Sequence, residues 1–224
     1  MIGHRGAVGV APENTISSFE KAIEYGVDMV ELDVHVCRTG ELVVIHDKTV
    51  NRTTSGRGQV KAMSLAQLQS LTIDEVEHVP TLSQVLTHIH RRVMVNIELK
   101  GHGTALATGR LIHEYVTKHG WRYDDFLVSA FELGQLIILK AHYPKIRRAV
   151  LLKRPIRHLV EVIAEVEPVA INLNFEKLKP GFLKQVHQAG LQLIVWTIKD
   201  PADAERMKEM GVDGVISDVP HLPL

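Results

Sequence analysis

Apolar residues along this chain fall into two alternating rhythms. Short runs rich in β-branched and aliphatic residues recur at 29–34, 93–99, 126–129, 148–152, 170–173, 192–197 and 214–217, and with 1–4 they number eight. Between most of them lie stretches of helical period with their own start and stop signals. The spacing predicts helices over 15–25 ending at Gly26, 104–118 ending at Gly120, and 133–143 stopped by Pro144. Others follow over 156–165 stopped near Pro168, 180–189 ending at Gly190, and 201–210 ending at Gly211. In the last of these Asp200 is placed to cap and Pro201 falls in the first turn, where its missing N–H is no loss. Strands alternating with helices of this length imply a parallel sheet covered by helices. Eight strands in 224 residues favour a closed TIM-type (β/α)8 parallel barrel over an open doubly wound sheet.

The alternation breaks once. After the second run comes another β-like run at 41–45, and residues 46–80 then intervene before a helix over 82–90. This reads as a small insertion after the second strand, on the C-terminal face where long loops carry function. The expected organisation is therefore a single barrel domain over 1–224, with 46–80 as an insertion subdomain. The stretch from Arg52 through Thr53, Thr54, Ser55, Gly56 and Arg57 to Gly58 reads as flexible and polar, and 46–80 has no aromatic residue. Its apolar positions Val60, Met63, Leu65, Leu68 and Leu71 fit a helix packed on the barrel. At the other end, 218–224 would give only about 10 Å of helix even without its two prolines. The seam of the barrel near Leu222 and Leu224 is then expected to be covered by shifted neighbouring helices or by a second copy in a homodimer.

Composition narrows the partners. Apolar residues make up 45%, enough for one core, and Lys plus Arg equals Asp plus Glu at 26 each. No net field recruits nucleic acid or an anionic membrane, so any phosphate affinity is local. The single Cys37 excludes an intrachain disulfide framework. No apolar run is long enough for a membrane span and no leader precedes His4, which together give the expectation of a soluble cytoplasmic protein. Thirteen histidines weaken any argument from one of them. His78, His88, His90, His113, His119 and His158 sit among polar residues and read as solvated surface positions.

Chemistry concentrates in three places. In the run Val30-Glu31-Leu32-Asp33-Val34, alternation puts both carboxylates on one face and the aliphatics on the other. With the aliphatics under the helices, Glu31 and Asp33 point inward, where a buried anion pair is costly without a cation. The next run repeats this, with Val95, Ile97 and Leu99 outward and Asn96, Glu98 and Lys100 inward. Three hard oxygen ligands without a convergent cysteine suit Mg²⁺, Ca²⁺ or Mn²⁺ better than zinc. An internal salt-bridge network neutralised by Lys100 is the bland alternative. His35 shares the parity of Glu31 and Asp33, but its character is that of a bystander. His4 and Arg5 emerge at the same mouth, and His46, followed by Asp47, ends the extra β run. Asn14 or Thr15 is placed to cap the first helix. Two histidines and an arginine flanking a metal form a set suited to phosphate-ester cleavage.

The ordered set His4-Arg5-Gly6, Pro12-Glu13-Asn14-Thr15, Glu31-Leu32-Asp33, His46-Asp47 and Glu98-Leu99-Lys100 resembles the glycerophosphodiester phosphodiesterase family. Ser129 and Phe131, Trp196-Thr197, and Gly211-Val212-Asp213-Gly214 leading to Ser217-Asp218 and Pro220 continue the resemblance over essentially the whole chain. Two departures are Cys37-Arg38-Thr39-Gly40, where the family often has Thr-x-Asp-Gly, and Ser217, where threonine is common. They bear on local turn geometry.

The resemblance implies a β/α barrel with a small insertion after its second strand, and a phosphoric diester hydrolase. It implies that Glu31, Asp33 and Glu98 bind a divalent metal, that His4 and His46 are the acid/base pair, and that Arg5 and Lys100 hold phosphate oxygens. Trp196 would line the pocket for the alcohol or glycerol part, although a core aromatic is its other reading. The implied reaction is hydrolysis of a small glycerophosphodiester to sn-glycerol 3-phosphate and an alcohol. Water and the glycerol 2-hydroxyl are both open as nucleophile. The alternative is the same chemistry on lysophospholipid or inositol phosphodiesters. A binder without turnover has no use for two proton-transfer groups, and an isomerase or aldolase on this fold would want a Schiff-base lysine or a lone carboxylate base.

Overall fold

The computed structural model describes residues 1–221. Eleven strands form along them. The first five are β1 (Ile2–Gly3), β2 (Met29–Val36), β3 (Leu42–Val44), β4 (Thr72–Ile73) and β5 (Glu77–His78). The others are β6 (Met94–Leu99), β7 (Phe126–Ala130), β8 (Arg148–Leu152), β9 (Ala170–Asn174), β10 (Gln192–Ile198) and β11 (Gly214–Ser217). Eight of them, β1, β2 and β6 to β11, pair in parallel in chain order. Ile2 meets both Ile216 on β11 and Met29 on β2, which closes the ring. The result is the TIM barrel expected from the alternation.

Helices fill the crossovers as α1 (Ile16–Glu24), α2 (Leu65–Gln69), α3 (Leu82–Ile89), α4 (Thr104–Lys118), α5 (Leu133–His142), α6 (Leu159–Val166), α7 (Pro180–Gln188) and α8 (Pro201–Met210). Their ends obey local chemistry. Thr15 caps α1 by accepting the Ser18 N–H, Asp200 caps α8 by accepting from Ala202, and Gly211 closes α8 in the left-handed region. Helix α6 starts later than the pattern predicts. Residues 153–158 run as a loop through Pro155, and Ile156 reaches the core from that loop.

The outward faces of the strands carry the main core. Val30, Leu32 and Val34 of β2 and Val95, Ile97 and Leu99 of β6 pack with Phe19, Leu86, Ile112 and Phe126 beneath the helices. Inside the barrel the pattern is layered. Ile2, Met29, Leu127, Ala149, Ala170, Ile194 and Ile216 fill the N-terminal end as an apolar plug. Two residues further along their strands stand Glu31, Ser129, Leu151, Asn172 and Trp196, so the interior turns polar toward the C-terminal mouth.

Strand β3 adds antiparallel to β2, through a turn in which Gly40 takes φ +100° and its N–H reaches the Cys37 carbonyl. In place of the one helix expected between Val60 and Leu71 there is a 3-10 turn at Val60–Ala62, then α2 capped by Ser64 and Gln67, then the β4–β5 hairpin. Met63 sits extended between the two helical pieces and breaks their register. Val50, Val60, Leu68, Ile73 and Val79 join Cys37, Val43 and Ile45 in a second apolar cluster behind β2 and β3. The stretch 52–58, which reads as flexible from composition, is pinned at its base. The Val50 N–H bonds the Gly58 carbonyl, and Val60 bonds that of Lys48. Of the six histidines read as surface, five are exposed and His88 is half-buried. The proposed seam cover at Leu222 and Leu224 lies outside the described residues.

Helix α1 is tied to the end of α3 by one carboxylate. Glu20 accepts both prongs of Arg92 at 2.8 and 2.6 Å and also the Nε2 of His88 at 2.7 Å. Hydrogen bonds from Arg92, opposed by burial and helped by His88, lower its pKa to about 2. A carboxyl depressed in the fold stabilises above its unfolded pKa and loses that contribution as pH falls through the folded one. Because Glu20 is a third exposed, the effect is screened. Glu20→Gln should lower Tm by roughly 1 to 4 °C at pH 7. The gap between variant and parent should narrow from pH 5 to pH 3 in thermal melts; a gap that widens toward acid would contradict the ion-pair assignment.

Candidate active site

Strand register builds the centre. Parallel pairing of β2 with β6 sets Glu31 beside Asn96 and Asp33 beside Glu98, so carboxylates two residues apart on one strand meet the third on its neighbour. All three are buried, at 3%, 1% and 8% exposure, and each offers an oxygen within 4.8 Å of the others. Two cations stand against them. Lys100 Nζ lies 2.6 Å from Glu98 and 3.3 Å from Asp33, and Arg5 Nε lies 3.4 Å from Asp33.

These cations do not complete the balance, because Arg5 also gives its Nη1 to Glu13 at 2.7 Å. Burial, then the charges of Asp33 and Glu98, raise the Glu31 carboxyl well above its ordinary range. Its close donor is the Arg5 backbone N–H at 3.0 Å, and His4 Nε2 stands off at 4.0 Å. Glu98 is pushed up to about 7 by burial and by Asp33, despite Lys100. Asp33 goes the other way: burial alone would raise it, but Lys100, Arg5 and His46 outweigh that and hold it low. A divalent cation among three hard oxygens matches this surplus of buried negative charge. The salt-bridge reading accounts for Asp33 and leaves Glu31 uncompensated.

The loop after β1 aims the first histidine. Arg5 has φ +49°, and Gly6 has φ +90° with its Cα against α1, where a Cβ would lie 2.6 Å from the Ser18 carbonyl carbon. That turn sends His4 over the triad. Its Nδ1–H donates to Asp218 at 2.5 Å, leaving Nε2 facing Glu31. On the opposite flank His46 gives its Nδ1–H to Asp47 at 2.7 Å. Burial lowers the His46 pKa, although Asp33 and Asp47 oppose it. His35 spends its Nε2 on the His46 carbonyl at 3.1 Å and faces no carboxylate of the triad within hydrogen-bond range.

These groups open onto one cavity of about 860 Å³ at the C-terminal mouth, lined by His4, Arg5, Glu31, His46, Glu98, Lys100 and Trp196 among others. Asp33 does not line it but lies within ligand reach of Glu31 and Glu98. Trp196 is half-buried, fixed by an N–H bond to the Asn172 carbonyl at 3.0 Å and edge-on to Phe131 at 5.7 Å between centroids. It lines the cavity and does not vanish into the core. Within the barrel the side-chain polar atoms of Asn96 and the Ser129 hydroxyl have no protein partner although both residues line the cavity. Such buried groups call for a polar ligand atom.

Four contributors escape a reading by motif alone. Thr15 takes the capping role, which frees Asn14, at φ +59°, to donate its Nδ2–H to Asp33 at 2.9 Å and accept the Asp33 N–H at 3.3 Å. Glu13, Asp218 and Arg52 hold Arg5, His4 and Asp47. Glu13, Asn14 and Asp218 stand in the quoted motifs but those motifs do not name their partners, and Arg52 has only its place in a polar loop.

Residues 4–222 match the Glycerophosphoryl diester phosphodiesterase family. The glycerophosphodiester phosphodiesterase of Caldanaerobacter subterraneus subsp. tengcongensis is 33% identical over 232 residues, covering 99% of this chain and 94% of the relative. An Oleispira antarctica phosphodiesterase, solved in complex with the product sn-glycerol-3-phosphate, superposes with a TM-score of 0.91 at 30% identity, covering 98% of this chain and 93% of its own. The glycerophosphodiester phosphodiesterase of Agrobacterium tumefaciens gives a TM-score of 0.83 at 29% identity, over 98% and 96% of the two chains. A match over nearly the whole length, on a barrel whose mouth carries the acids and histidines at these spacings, leads to one assignment: the chain belongs to the glycerophosphoryl diester phosphodiesterase family.

Proposed function

We propose that this protein hydrolyses small glycerophosphodiesters to sn-glycerol 3-phosphate and an alcohol, using a divalent cation and a pair of histidines. The observation that carries this reading is the buried carboxylate triad with a histidine–carboxylate dyad on each flank. Family membership and the product bound by the Oleispira antarctica phosphodiesterase support the substrate class.

Glu31, Asp33 and Glu98 would hold the cation, with Asn14 fixing the orientation of Asp33. When bound, Mg²⁺, Ca²⁺ or Mn²⁺ supplies Lewis acidity at the phosphoryl oxygens and at a neighbouring hydroxyl. Arg5 and Lys100 receive the equatorial oxygens as negative charge grows on them. Asp218 and Asp47 each take the Nδ1–H of a histidine, so both Nε2 atoms stay available to the substrate. One histidine accepts the proton of the attacking hydroxyl, from water or from the glycerol itself, and the other returns a proton to the departing alkoxide. Trp196 lines the part of the cavity that takes a non-reacting end of the substrate.

Residues 46–80 act in this reading as an insertion subdomain that brings His46 and Asp47 to the mouth of a single-domain barrel. Its apolar side chains are spent on their own cluster, which favours a small headgroup over a lysophospholipid chain. Among the described residues no helix is long and apolar enough to cross a membrane. A cytoplasmic setting completes the proposal, supported by the lone, buried, unpaired Cys37.

Stripping divalent ions should abolish release of glycerol 3-phosphate, and adding them back should restore it; Glu31→Gln and Glu98→Gln should remove the stimulation while keeping the fold. Full turnover in excess chelator, with metal content verified as nil, would overturn the metal reading. Changing His4 or His46 to Ala should each reduce kcat by about 10² to 10⁴. An unaltered kcat in either variant removes that histidine from the chemistry. Asn14→Ala should weaken the apparent affinity for the activating cation by about 10- to 100-fold, with activity recovered at high metal. A metal titration curve superimposable on the parent's would show that Asn14 does not position Asp33.

A further inference from the structure

We infer that Arg52, in the insertion, is a positioning residue for the hydrolase reaction proposed above: it orients His46 through Asp47 and Arg5 through Glu13. The inference rests on that reading of the site. Arg52 is not a residue of the cavity wall, and its side chain is 47% exposed. What singles it out is how its guanidinium is used. Nε and Nη2 donate to the two oxygens of Asp47 at 2.8 and 3.1 Å, while Nη1 and Nη2 donate to the two oxygens of Glu13 at 2.7 and 2.9 Å. Each carboxylate then spends an oxygen on a site residue. Asp47 Oδ1 accepts from His46 at 2.7 Å, and Glu13 Oε1 accepts from Arg5 at 2.7 Å.

The chain His46, Asp47, Arg52, Glu13, Arg5 therefore crosses from the insertion to the loop after β1. Asp47 is the neighbour of the histidine it holds, and nothing in its own backbone fixes the plane of its carboxylate. A planar donor that takes both oxygens does fix it, and with it the direction of the His46 ring. An isolated surface ion pair has little effect of this kind. Here both acids are at least two-thirds buried, and the same guanidinium joins them. Without Arg52, Glu13 and Asp47 lose their shared cation, and Arg5 is drawn more fully to Glu13 and away from Asp33. The bland reading is that Arg52 merely anchors its loop. Val50, fully buried, and the backbone bonds between 48–50 and 58–60 anchor that loop without it.

Steady-state kinetics on a glycerophosphodiester, with saturating divalent cation, test this using R52Q, R52K, H46A and the H46A/R52Q double variant, with thermal melts alongside. R52Q should lower kcat by about 10-fold or more, as expected when a proton-transfer group is misplaced. R52K should recover only part of that, since an ammonium cannot span four oxygens. In the H46A background the same R52Q change should cost at least about 3-fold less than in the parent, because its route through His46 is already gone. Parental kcat in R52Q, or an equal loss in both backgrounds, overturns the inference. If R52Q melts early, R52K decides alone: full rate in R52K overturns it, and a reduced rate at an unchanged Tm supports it. Failure of the parent to turn over any glycerophosphodiester overturns the hydrolase reading itself, an outcome distinct from active parent and equally active R52Q.

Discussion

Three carboxylates in a low-dielectric barrel interior repel one another, and the neighbourhood is arranged around that repulsion. Lys100 and Arg5 come in from two directions, Asn14 turns its amide to Asp33, and the backbone N–H of Arg5 points at Glu31. The left-handed residues Arg5 and Asn14 are the backbone's part in the same arrangement, since they bend the first loop back over the acids. The register of β2 against β6 is what makes the repulsion unavoidable. A slip of one residue would turn Glu31 and Asp33 into the aliphatic layer and Val30 and Leu32 into the cavity.

In the proposed reaction, proton transfer falls to a different part of the architecture. The acids sit within the strands β2 and β6, whereas both histidines sit where a strand gives way to a loop. Each is then stiffened by a carboxylate on Nδ1, one supplied by the chain's far end at Asp218 and one by the adjacent Asp47. In that reading charge stabilisation rests on the scaffold, and the two histidines sit on supports that can be tuned separately.

Much of this was legible in the sequence because its signals are periodic. Alternation in Val30-Glu31-Leu32-Asp33-Val34 fixes which side of a strand each residue takes, and the same alternation around Glu98 fixes the third acid. The prolines and glycines that end α5, α7 and α8 marked the crossovers. What stayed hidden depends on long-range closure. Thr15 and Asn14 compete for one cap, and only the packing of the first loop against β2 decides that Thr15 caps while Asn14 turns to Asp33. Asp218 lies 214 residues from His4, and no local pattern joins them. The segment 52–58 looked mobile because polarity and glycine carry no information about a partner on another loop. Met63, a good helix former, stands outside any helix because tertiary packing sets the bend between Val60 and Leu68.

Among the described residues, the apolar plug of Ile2, Met29, Leu127, Ala149, Ala170, Ile194 and Ile216 closes the N-terminal end of the barrel, while the cavity opens at the other. A molecule entering through that mouth passes the histidines, the lysine and the aromatic pair before it reaches the acids. In the proposed reaction both fragments of the diester would share that doorway with the incoming molecule. If the proposed hydrolysis holds, retained glycerol phosphate would occupy the seat its precursor needs, and traffic through the rim would be as much a part of turnover as the bond cleavage.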